Sequence, residues 1–169
     1  MASGSGFGCA TWSGVMRAPA GGSKGILFIK GAAKRSPDLA PLEVTAGGMV
    51  AIGEGEDTKA LLDFARPIYA LYVGGMGARG KNFYNDLACQ YGYEAEAKQI
   101  QDLYLDGKKK EAEALVPLEW LEAGNFVGPE SYVKERIAAF AEAGVTNLQV
   151  TPVSPDPAGT ISQLKEWVS

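Results

Sequence analysis

The chain has 169 residues, 46% hydrophobic and 21% charged, which suits one globular domain with a core of its own. Its formal net charge of −4 argues against a nucleic-acid binder, and no apolar run approaches the ~20 residues of a membrane span. Histidine is absent, so a Ser-His-Asp or Cys-His mechanism within these residues is excluded and the commonest zinc ligand is missing. Cys9 and Cys89 are too far apart in sequence to suggest a disulfide framework or a metal set, and Cys89 reads as a small buried residue on a helix face. The expected setting is soluble and cytoplasmic, with no nucleic acid, no membrane and no metal. Any chemistry would rest on carboxylates, tyrosines, lysines, arginines or a borrowed cofactor.

Residues 1–24 are rich in Gly, Ser and Ala around an isolated Trp12, without the charge and apolar core of a secretory signal. They read as a poorly ordered lead-in. Gly25-Ile26-Leu27-Phe28-Ile29 is a candidate short buried strand, and turn signals follow at Ser36-Pro37-Asp38. Residues 42–52 form the clearest strand, because Leu42, Val44, Ala46, Val50 and Ile52 share one parity, as a half-buried strand requires. Gly47 and Gly48 interrupt it, which predicts a bulge or a close backbone approach. Gly53-Glu54-Gly55-Glu56-Asp57 is a turn, with Asp57 or Thr58 capping the next helix. Leu61, Ala65, Ile68 and Tyr72 then fall at helical spacing, and Pro67 should kink or split that helix near Asp63.

Leu71-Tyr72-Val73-Gly74-Gly75-Met76-Gly77-Ala78-Arg79-Gly80-Lys81-Asn82-Phe83-Tyr84-Asn85-Asp86-Leu87 separates two helical patterns. Four glycines within seven residues remove side chains where the backbone turns or approaches a neighbour closely. Arg79, Lys81 and Asn82 follow in what reads as the next helix's first turn, so the stretch is either a packed turn or an anion site. Phe83, Leu87 and Tyr91 mark a helix ending at Gly92; Ala97, Ile100 and Tyr104 mark another ending at Asp106-Gly107. Residues 108–116 make a further helix, with Lys108-Lys109-Lys110 as a solvated face and Pro117 as its end. Gly128-Pro129-Glu130 opens a fifth, with proline at its first position, Val133, Ile137 and Phe140 inward and Gly144 as its stop.

Residues 145–153 form a second strand, with Leu148 and Val150 facing one way, and Pro157 starts a last helix with Ile161, Leu164 and Val168 inward. Strands joined through helices should lie parallel. The connection is far longer than one crossover helix, so residues 74–126 are expected to form an inserted helical subdomain. Two or three strands cannot close a sheet, and parallel sheets want both faces and both edges covered. The pattern is that of part of a larger barrel.

Gly31-Ala32-Ala33-Lys34-Arg35, Leu42-Glu43-Val44-Thr45-Ala46-Gly47-Gly48, Tyr72-Val73-Gly74-Gly75-Met76-Gly77 and Asn82-Phe83-Tyr84-Asn85-Asp86-Leu87 resemble the luciferase-like oxidoreductases that use the deazaflavin coenzyme F420. The segment from Gly128-Pro129-Glu130 through Ala143-Gly144-Val145 resembles that family's last βα unit. The resemblance covers residues 31–169 and leaves residues 1–30 outside. It implies an α/β fold: the C-terminal part of a (β/α)8 TIM barrel, with strands resembling the seventh and eighth, in a truncated chain. It implies hydride transfer to or from a small organic substrate, with F420 as cofactor (FMN as the alternative) held in a pocket largely outside these residues. No catalytic or cofactor-binding residue carries over. Arg79, Lys81 and Asn82 are the candidates for a substrate-side rim. The alternatives are a non-catalytic barrel fragment acting as a helical interaction or dimerisation module, whose open strand edges a homodimer could cover, and a complete small α/β binding protein.

Overall fold

A computed structural model describes Ser36, Asp38 and residues 43–168. The expected lead-in, the candidate strand at residues 25–29, Cys9 and most of the 31–41 turn lie outside the described residues. Within that turn, the Ser36 hydroxyl donates to the Asp38 carboxylate at 3.3 Å. The chain divides into two compact units, a strand-bearing one that ends at Lys59 and resumes at Ala123, and a helical one of Ala60–Glu122.

In the strand unit, Thr45–Ala46 (β1) and Met49–Ile52 (β2) are followed by Phe126–Gly128 (β3), Asn147–Leu148 (β4) and Thr151–Pro152 (β5). All pairings are parallel, β1 with β4 and β2 with both β3 and β5. The expected strands 42–52 and 145–153 are each broken in two at the same level. An added Cβ at Gly47 would land on the Gln149 carbonyl, so the two backbones approach there as only glycine permits. The hydrogen-bond ladder nevertheless runs through the break: Gln149 N–H donates to Ala46 O, Thr151 N–H to Gly48 O and Val153 N–H to Val50 O, each at 2.9 Å.

Two expectations change here. Val50 and Ala51 are both buried, so β2 is covered on both faces, as parallel strands are, rather than being half-buried. Residue 126, at the expected end of the helical insertion, lies in β3, a strand of three residues that is too short to show a period. β3 also makes β2 the central strand, in the order β3-β2-β5. A barrel built of sequential neighbours would place β3 between them.

Glu130–Glu142 (α7) and Pro157–Val168 (α8) cover this sheet. Their buried Val133, Phe140 and Leu164 join Ala46, Val50 and Phe126 in one core, with the Phe126 and Phe140 rings 4.8 Å apart. Pro129 stands just outside α7 rather than at its first position, and Gly144 with φ +90° ends it. Val168, expected inward, is 56% exposed because it sits in the last turn of α8, past the core contacts.

The helix Glu56–Ala60 (α1) leads from the strand unit into the helical one; it starts ahead of Asp57 and Thr58, so neither caps it. A 3-10 turn at Leu61–Ala65, the helix Arg66–Ala70 (α2) and a π-helical turn at Leu71–Gly75 follow in one run. Pro67 lies in the first turn of α2, and the helix is split ahead of it as expected. Phe83–Gln90 (α3), Glu94–Leu105 (α4), Lys109–Ala114 (α5) and Leu118–Gly124 (α6) complete the set. Gly92 (φ +92°) and Gly107 (φ +81°) end α3 and α4, where left-handed backbone is needed. Ala97 and Ile100 face inward, while Phe83, one of the residues whose spacing marked α3, is 55% exposed at its first position. α6 has no counterpart in the sequence expectations; its Trp120 is buried, with the Tyr93 ring 4.9 Å away.

Candidate functional site

The carboxyl ends of β2, β3 and β5 lie side by side in the strand unit. Gly53 N–H donates to Gly128 O at 3.0 Å, tying the ends of β2 and β3 together, and the Thr58 hydroxyl closes the next turn onto Glu54 O at 3.3 Å. After β5, the Ser154 and Thr160 hydroxyls meet at 2.7 Å, while the Asp156 carboxylate accepts Gly159 N–H at 3.0 Å and so caps α8. Between the strand ends and the following helices, residues 53–55, 129 and 153–156 carry the carboxylates of Glu54 and Asp156 and no cation. These loops do not by themselves fit an anionic coenzyme such as F420 or FMN.

The glycine-rich stretch of the helical unit is built around a buried asparagine. Tyr72 and Val73 lie in the last turn before the helical run ends at Gly75, where a helix leaves its carbonyls without partners of its own. Asn82 Nδ2 donates to both, at 3.0 and 2.9 Å, and its Oδ1 accepts Tyr84 N–H at 3.0 Å and Asn85 N–H at 3.3 Å. Asn82 is thus the N-cap of α3 and a clamp on the preceding turn, fully buried with all four hydrogen bonds made. Its amide group is satisfied within the helical unit itself. The Tyr84 and Asn85 N–H groups of the first turn of α3 are therefore already occupied. Asn85 continues the clamp, donating to Val73 O at 3.1 Å and Ala97 O at 2.8 Å.

The glycines have matching reasons. A Cβ at Gly74 would stand 2.6 Å from Tyr104 Cβ, one at Gly75 would enter the Tyr104 ring, and one at Gly77 would meet the Lys81 carbonyl. Of the other two rim candidates, Arg79 Nε binds Asp102 at 2.7 Å and its guanidinium also reaches Asp106 at 3.6 Å. Lys98 reaches the same Asp102 at 2.6 Å, and these two donors, Lys98 first, hold its carboxyl below the ordinary range. Asp102 in turn raises the pKa of Arg79. Lys81 is exposed, and its ammonium has no ion pair among the described residues. Cys89, half-buried on α3, has its thiol pushed up first by burial and then by the Glu94 and Asp86 carboxylates. The Asn-based clamp was missed in sequence; the signal available was an Asn placed ahead of a helical pattern with Asn again three residues on.

The family model described as luciferase-like monooxygenase matches residues 12–147. The chain belongs to that family. The match reaches back well into residues 1–30, which the sequence resemblance had left outside. Among curated proteins, this luciferase-like chain is 32% identical over 139 residues to the Mycobacterium tuberculosis protein named "Putative coenzyme F420-dependent oxidoreductase", covering 82% of this chain and 37% of that one. Among solved structures it is similar to the coenzyme F420 dependent tetrahydromethanopterin reductase from Methanopyrus kandleri, with a TM-score of 0.50 and 25% identity, covering 72% of this chain and 33% of the other. The chain therefore spans about a third of the length of the relatives it matches. What it shares with them is an α/β fold of parallel strands and helices and the oxidoreductase family.

Proposed function

We propose that these residues form the part of a luciferase-like barrel equivalent to its seventh and eighth strands, in a protein that transfers a hydride between F420 and a small organic substrate. The observation that carries this reading is the 32% identity, sustained over 82% of the chain, to a protein named for F420 dependence. The coenzyme supplies the hydride chemistry, so the lack of histidine is no obstacle. The strand-end loops contribute shape and hydroxyl groups, while the charge partners of the coenzyme come from outside the described residues. Among the candidates Arg79, Lys81 and Asn82, Lys81 is the one whose ammonium is exposed and unpaired within the described residues.

The test is titration of the full 169-residue chain with F420, followed by deazaflavin absorbance and fluorescence. Saturable binding by tens of micromolar supports the reading. No binding by the folded protein favours the second reading, a helical interaction or dimerisation module without turnover. That alternative has its own support in the exposed Phe64, Ile68 and Phe83 of the helical unit. Size-exclusion chromatography over a dilution series would then show a dimer.

A further inference from the structure

The turn at residues 78–81, the tip of the glycine-rich stretch, is fastened in two unlike ways. Its base is closed by backbone and by the buried Asn82. A Cβ at Gly77 would run into the Lys81 carbonyl, so the two arms touch as only glycine permits, and Asn82 Nδ2 grips Tyr72 O and Val73 O. Above the base, Lys81 N–H donates to Ala78 O at 2.9 Å across a four-residue turn whose third residue, Gly80, takes φ +70°. Ala78, Arg79, Gly80 and Lys81 are all exposed, and a Cβ at Gly80 would meet nothing within 4 Å. The tip is not packed. Among the described residues, the side chain that ties it down is Arg79, whose guanidinium lies 2.7 Å from Asp102 and 3.6 Å from Asp106, just past the end of α4.

Release of the two fastenings has unequal consequences. Opening the base would strand the buried Asn82 amide and the carbonyls it serves. Releasing Arg79 strands no charge. Lys98 stays on Asp102 at 2.6 Å, and the Arg79 side chain, already 56% exposed, passes to water. Exposed ion pairs contribute little and are screened by salt, the Debye length falling from ~8 Å at 0.15 M to ~3 Å at 1 M. Local opening takes the weaker fastening first.

We propose that residues 78–81 form a latch released by salt: the tip opens over a fixed base each time Arg79 leaves Asp102, and it carries the Lys81 ammonium with it. The Arg79–Asp102 pair thereby sets where that cation is presented, whatever reaction the protein performs. The experiment is amide–water exchange by NMR on the isotopically labelled full chain. It compares Lys81 N–H, bonded to Ala78 O, with Tyr84 and Asn85 N–H, which Asn82 Oδ1 holds. In Asp102→Asn, and in the parent at 1 M salt, exchange at Lys81 should rise several-fold beyond any rise at Tyr84 and Asn85. Lys98→Gln leaves Asp102 to Arg79 and should leave Lys81 as in the parent. An unchanged Lys81 in folded Asp102→Asn would overturn the proposal. So would an equal rise at all three amides, which would make tip and base one unit, or a rise in Lys98→Gln as large as that in Asp102→Asn.

Discussion

Replacing Asn82 by alanine removes one side chain from two jobs at once, and the structure allows their sizes to be separated. Losing the N-cap acceptor of α3 costs ~0.5–2 kcal/mol. Val73 O keeps a donor in Asn85 Nδ2 at 3.1 Å, so only Tyr72 O is orphaned, at about 1–3 kcal/mol for a part-buried carbonyl. Together Asn82→Ala should destabilise the helical unit by about 2–4 kcal/mol, since the two losses share one site and will not add fully. Urea unfolding followed by ellipticity and by Trp120 emission should show the midpoint falling by on the order of 1–2 M. Asn82→Ser retains a cap acceptor and should recover roughly half of the loss. Asn82→Asp caps as well as Asn but turns a carboxylate toward two carbonyls, and should be no better than alanine. If Asn82→Asp matched the parent, the clamp on the π-helical turn would contribute nothing and the reasoning would fail.

Gly74→Ala should cost ~1–3 kcal/mol by driving a methyl group into Tyr104 Cβ, and in a double-mutant cycle Tyr104→Ala should remove most of that cost; an additive cycle would refute the contact. Asp102→Asn should lower the urea midpoint at neutral pH. Because the folded pKa of Asp102 is depressed, its stabilisation is present above the unfolded value of about 3.9 and lost as pH falls through the lower folded value. The gap between parent and variant should therefore close on acidification, and a gap independent of pH would rule out the ion-pair origin. In a Cys9→Ser background, Cys89 should react with iodoacetamide more slowly than a free thiol at mildly alkaline pH and catch up only at higher pH, since the thiolate is the nucleophile and burial disfavours it. A rate equal to that of free cysteine at every pH would contradict the burial.

Much of the fold was legible in the residues because its signals are local. The ends of α3 and α4 follow from glycines that take positive φ at Gly92 and Gly107, and the split before α2 follows from Pro67. The parallel pairing of the two longer strands follows from the helices between them, and Gly47 marks the backbone approach that breaks both. The luciferase-like family was readable from the glycine-rich stretch and its neighbours. Tertiary structure decided the rest. A three-residue strand such as β3 carries no period, so only its pairing with β2 reveals it. Whether Asn82 meets solvent or carbonyls depends on where the end of the preceding helical run comes to lie against it, which no residue spacing encodes. Sequence determined the glycines and the polar side chains that follow them; packing decided that Asn82 clamps the carbonyls of Tyr72 and Val73, that Arg79 is held by Asp102, and that Lys81 is left to solvent.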